Sequence, residues 1–170
     1  MTKSKPSVGF WVHWNNMFDI TYDGSQHTWH QNPFVGISCG AFALFGTPSF
    51  VRRGHYTLTA WMLFTSICSF LADYVYIENP AHVAHQIDRV VAHLSVACLC
   101  YCSLCILHLS FAYCCGTLAL AVCLFLLSRS SKHRTHWAIF HTLWHFVPLM
   151  MIFLPDLLLA QPDTGASTAL

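Results

Sequence analysis

Ser69 and Asp73 stand four residues apart in SFLADYVY, at the end of the apolar run WMLFTSICSFLADYVYI. On a helix that spacing puts both on one face, and Ser66 shares it one turn earlier. Further along, HQIDR holds Asp88, and HTLWH holds His141 and His145, again four apart. An ionisable group inside a bilayer costs about 2.5–3.5 kcal/mol on insertion scales, so such groups face a bundle interior and pair with one another. Asp73 therefore needs a partner, and histidines are available. A metal would satisfy several of these groups at once. Zinc takes imidazole nitrogen and carboxylate oxygen in a tetrahedron, and three protein ligands leave one position for water. His141 and His145, four apart on one helix, could chelate such an ion, and a third ligand from another helix would close the site.

The elements that must position them are transmembrane helices. Of 170 residues, 55% are hydrophobic and 9% charged, against about 25% charged in ordinary soluble domains. Net charge is +1, which gives no basic field for nucleic acid. Runs near the roughly 20 residues that cross a bilayer predict an all-α polytopic transmembrane helix bundle of about five spans: 34–51, 57–77, 88–107, 110–128 and 136–159. From Val90 to Leu127 there is no Lys, Arg, Asp, Glu or Pro. That stretch is too long for one span, so a turn is expected around His108, Leu109 and Ser110. Residues 1–33 read as a polar and aromatic interfacial segment without the apolar core of a signal peptide. Residues 160–170 read as a disordered tail. The nine cysteines all lie in apolar runs, where the thiol behaves as a small hydrophobe, and no disulfide framework is expected.

Five spans put the N-terminus, the 78–87 loop and the 129–135 loop on one side. That side carries Lys3, Lys5, Arg129, Lys132 and Arg134, with Arg89 at its boundary, whereas the other carries Arg52 and Arg53. The excess marks the N-terminal side as cytosolic. The same boundaries place Ser69 and Asp73 near the end of span two, Asp88 at the start of span three, and His141 with His145 in span five, all at one depth. Plainer roles exist for each residue. Asp73 can pair with Arg89 across a helix hairpin, and Asp88 can cap span three. His82 and His85 suit a loop, and His93 and His108 suit hydrogen bonds inside the bundle. Ser66 and Ser69 can bond back to a helix carbonyl.

An acid on one helix, an acid at the start of the next and HxxxH on the last resembles the superfamily of alkaline ceramidases, progestin and adiponectin receptors and related membrane hydrolases. SFLAD (Ser69 to Asp73) occupies the place of its Ser-xxx-His, HQIDR with Asp88 the next, and HTLWH with His141 and His145 the last. The resemblance runs from Ser66 to Pro148. It implies zinc held by Asp73, His141 and His145 and zinc-dependent hydrolysis of a lipid amide such as a ceramide, with zinc-bound water attacking the carbonyl. Ser69 would then stabilise the oxyanion, and Asp88 would act as general base or orient the water. The chain departs from that pattern twice: Asp73 stands where the family has histidine, and five spans stand where it has seven.

The expected partner is a membrane lipid, met in an endomembrane (endoplasmic reticulum or Golgi) or the plasma membrane, and the residues name no protein partner. Two other classes stay open. A bis-histidine haem could sit between His93 and His141 or His145. A non-enzymatic receptor-like protein, assembly subunit or proton-linked carrier could use Asp73 and the histidines as a relay.

Overall fold

The computed structural model describes residues 30–79 and 82–159. The interfacial segment expected over residues 1–33 lies outside them up to residue 29, and so does the tail expected over 160–170. The described chain is helical, with no strand among the described residues. Four helices are long and apolar enough to cross a membrane: α1 Pro33–Arg52, α2 Tyr56–Val75, α3 Val83–Ile106 and α4 Phe111–Ser130. Large apolar side chains such as Phe34, Ile37, Ile67, Leu94 and Leu120 point outward. That is what a bundle embedded in hydrocarbon requires, because lipid is no less apolar than the core.

Local chemistry sets the ends. Asn32 caps α1, its Oδ1 accepting from the Phe34 amide at 3.0 Å, with Pro33 in the first turn. Gly54 turns the chain between α1 and α2 with φ of 74°, a backbone that glycine adopts without strain. Helix α3 begins at Val83, earlier than the expected 88, because His82 caps it and accepts from the Ala84 amide at 3.2 Å. Asp88 therefore lies inside the helix and caps nothing. The turn between α3 and α4 falls where expected. His108 sits exposed in it with φ of 52°, so it is a turn residue rather than a bundle histidine, and Ser110 caps α4.

The fifth segment is two helices, not one. Helix α5 runs Arg134–Phe146 and α6 Met150–Leu159, separated by a turn over Val147, Pro148 and Leu149. Proline has no amide proton, and its ring clashes with the carbonyl four residues back, so a continuous helix across Pro148 is disfavoured.

Each of α1, α2 and α3 contains one π turn, over Phe42–Gly46, Leu71–Val75 and Cys102–Ile106. In α2 the Tyr76 amide reaches back five residues to the Leu71 carbonyl at 2.8 Å. Such single turns insert an extra residue into a helix and recur at functional sites. Asp73 is the middle residue of this one.

The bundle is polarised along its length. Its largest apolar core joins Phe42, Phe50, Met62, Leu99, Met151 and Ile152, at the end where α1 and α3 finish and α2 begins. The opposite end holds the polar residues. There α1 packs on α5 and on the π turn of α2, α2 on α3, and α4 on α5. The close approach of α1 to α2 depends on Gly36: a Cβ there would lie 2.7 Å from Tyr74 Cδ2. Gly36→Ala is expected to destabilise the bundle by about 1–3 kcal/mol, read as a lower unfolding temperature in detergent. A further Tyr74→Leu change should recover part of the loss, and an unchanged midpoint in the single variant would contradict the packing.

Candidate metal centre

All five helices at the polar end contribute to one cluster. Asp73, on the π turn of α2, lies between the two histidines of α5. Its Oδ2 is 2.9 Å from His141 Nε2 and 3.5 Å from His145 Nε2. The two imidazoles meet edge to face with centroids 4.8 Å apart, as the HxxxH spacing requires. His145 is 1% exposed and Asp73 8%.

The outer nitrogens of both rings are held. Ser38 of α1 places its Oγ 2.8 Å from His145 Nδ1. Ser128 of α4 places its Oγ 3.1 Å from His141 Nδ1. Ser38 also donates to the Val35 carbonyl at 2.8 Å. A hydroxyl has one proton, so with that proton used Ser38 accepts, and Nδ1 of His145 is the donor. In the neutral ring Nε2 then carries a bare lone pair, aimed toward a carboxylate. Two lone pairs facing each other repel unless a proton or a cation lies between them.

His141 tells the same story by another route. Its Nε2 is close to Asp73, yet it is buried without a hydrogen bond among the described residues. A buried nitrogen left so costs about 1–3 kcal/mol, and a cation shared by all three groups would remove that cost. Neighbouring ligand atoms on a tetrahedral zinc, at about 2.0–2.1 Å from the metal, stand roughly 3.3 Å apart. The observed 2.9 and 3.5 Å bracket that spacing. Asp73, His141 and His145 therefore fit a zinc ion in donor type, and each histidine nitrogen lies near ligand spacing from the carboxylate.

Beside this trio, Ser69 is buried one turn earlier on α2 and donates to Asp88 Oδ1 of α3 at 2.8 Å. Asp88 is tied to the trio through α2, since Ser69 stands one helical turn before Asp73. The five residues expected from the sequence are thus neighbours. Ser69 differs from its expected role, however. Its proton is committed to Asp88, so here it orients that carboxylate, and stabilising an oxyanion would require the hydroxyl to turn away.

Other expected groups lie elsewhere. His93 is exposed, with Nδ1 2.5 Å from the Arg89 carbonyl of its own helix, so it is not brought to His141 or His145 as a haem clamp requires. His85, expected in a loop, lies in the first turn of α3, with Nε2 3.0 Å from the Tyr76 carbonyl, and the His82 ring, just before that helix, stacks on Tyr76. Ser66 donates to the Cys39 carbonyl of α1 at 2.6 Å and so ties α2 to α1, rather than bonding back to its own helix.

The contributions of α1 and α4 were not foreseen. Ser38, Cys39 and Ser128 are small residues in apolar runs, a pattern common to any packed membrane helix, and the distant histidines they meet leave no local trace. Partners that fix the outer nitrogen of a metal-bound histidine typically account for 10–100-fold in affinity. Ser38→Ala and Ser128→Ala are each expected to weaken zinc binding by roughly that factor, measured by competition with a chelating dye. An unchanged affinity in both would remove the serines from the site. Comparison with models of protein families, with curated proteins and with solved structures finds no match, so the reading of this centre rests on its own geometry.

Proposed function

We propose that this protein is a multi-pass membrane hydrolase of lipid amides, ceramide-like in substrate and dependent on one zinc ion held by Asp73, His141 and His145. The observation that carries the reading is the meeting of two imidazole nitrogens and a carboxylate oxygen beside a second, serine-held carboxylate, at one end of an apolar bundle. Zinc bound there supplies a Lewis acid for a carbonyl and lowers the pKa of water into the range where it becomes a nucleophile.

The chain's own residues divide the remaining work. Ser38 and Ser128 hold the two imidazoles so that both Nε2 atoms face inward. Asp88 takes the proton from the attacking water and returns it to the departing amine nitrogen, as a general base and then acid. Ser69 fixes the rotamer of Asp88. The apolar core at the far end of the bundle excludes water from that side, so water enters from the polar end, and a two-chain lipid fits a site flanked by outward-facing apolar helices. The excess of Lys and Arg supports a cytosolic polar end, in an endomembrane (endoplasmic reticulum or Golgi) or the plasma membrane.

The test is release of fatty acid from a ceramide in detergent micelles by the purified chain. Chelator-sensitive release that His141→Ala/His145→Ala abolishes is expected. Release by the double variant equal to that of the native protein would end the proposal.

A further inference from the structure

Cys39 is fully buried on α1, beside Ser38. Its Sγ, a carboxylate oxygen of Asp73 and a ring nitrogen of His145 all lie within 4.8 Å of one another, and His141 stands outside that group, joined to it through Asp73 Oδ2 at 2.9 Å. Adjacent positions on a helix point about 100° apart, so the two residues reach His145 differently: Ser38 bonds the outer nitrogen, and Cys39 approaches the face shared with Asp73. The position of Cys39 is fixed from both sides. Its carbonyl accepts from Ser66 of α2, and its S–H donates to the Val35 carbonyl at 3.2 Å.

We infer that Cys39 is a fourth ligand of the zinc proposed for this site, so that the centre takes a Cys, Asp, His, His donor set and is closed by its own thiol. The inference rests on the zinc reading above and changes what that centre does. On ligation the S–H bond breaks heterolytically. The sulfur keeps the electron pair and gives it to the cation, and the proton leaves the Val35 carbonyl for water, as metal loading of thiols requires. A thiolate donor favours zinc over magnesium, calcium and manganese. Four protein ligands also fill the position that a catalytic zinc keeps open. The enzyme is then resting when Cys39 is bound, and a substrate must displace the sulfur to reach the metal.

Cobalt(II), which substitutes for zinc and is coloured, reports this directly. The full-length protein is purified in detergent, stripped of metal and loaded with one equivalent of cobalt, and its absorption spectrum is recorded beside those of Cys39→Ala and His141→Ala/His145→Ala. The native protein is expected to show a thiolate-to-cobalt charge-transfer band in the near ultraviolet together with tetrahedral visible bands. Cys39→Ala should lose the charge-transfer band yet keep the visible ones, and the double histidine variant should lose both. Native protein that binds cobalt with no charge-transfer band overturns the Cys39 assignment and leaves the three-ligand centre standing. A charge-transfer band that survives in a folded Cys39→Ala overturns it as well, since another of the nine cysteines would be the donor. Native protein that binds no cobalt overturns both readings.

Discussion

Asp73→Asn is expected to strip zinc from the purified protein while leaving its helices folded. The amide has the shape of the carboxylate, so packing in the π turn of α2 is kept. What is lost is the anionic oxygen that both imidazole nitrogens face, at 2.9 and 3.5 Å. Two neutral imidazoles remain, with the Cys39 sulfur inferred above, and without the carboxylate these hold zinc more weakly. The fall in affinity should exceed the roughly 10–100-fold that follows loss of an outer partner. It is measured by equilibrium competition, with circular dichroism as the control for folding. Retention of native affinity would mean that Asp73 is only the counter-ion of a protonated histidine. Asp73→His places an imidazole where the resembled family carries one, and it should bind zinc more tightly than Asp73→Asn.

Asp88→Asn is expected to do the opposite: keep the metal and lose the reaction. Asp88 lies one helix away from the histidines and is held by Ser69 at 2.8 Å, so the zinc ligands do not depend on it. Positioned proton transfer contributes about 10²–10⁴-fold to a rate, and turnover of a lipid amide should fall by that order with zinc content unchanged. Ser69→Ala frees the Asp88 rotamer. Hydrogen bonds to charged groups are worth about 1.5–3 kcal/mol, so a loss of roughly ten- to hundredfold is expected there. Loss of zinc from Asp88→Asn would instead make Asp88 a ligand. Equal rates in Asp88→Asn and the native protein would remove it from the mechanism.

Why the site was legible in part follows from which of its signals are local. Asp73, Asp88, His141 and His145 stand out because charge and imidazole are scarce in apolar runs, and alternating spans put them at one depth. Ser38, Cys39 and Ser128 carry no such mark. Their roles exist only because α1 and α4 flank α5, an arrangement made by the packing of α1 on α5 and by the seam between α4 and α5. Span boundaries were close because hydropathy reports them. The early start of α3 was hidden because a histidine, not a common capping residue, accepts at its first turn. The break between α5 and α6 had a visible cause in Pro148, which hydropathy ignores. The π turns had none: their extra residue is stabilised by neighbours, and Asp73 keeps its inward face through one of them.

The central claim is a zinc ion held between α2 and α5. It is tested most directly by metal content, measured by mass spectrometry on detergent-purified protein, native beside His141→Ala/His145→Ala. About one zinc per chain in the native protein, lost in a folded double variant, is the predicted result. Native protein that is well folded, has been offered zinc and retains none would contradict the account, and the cluster of Ser38, Asp73, His141 and His145 would then be a buried polar network or a proton relay.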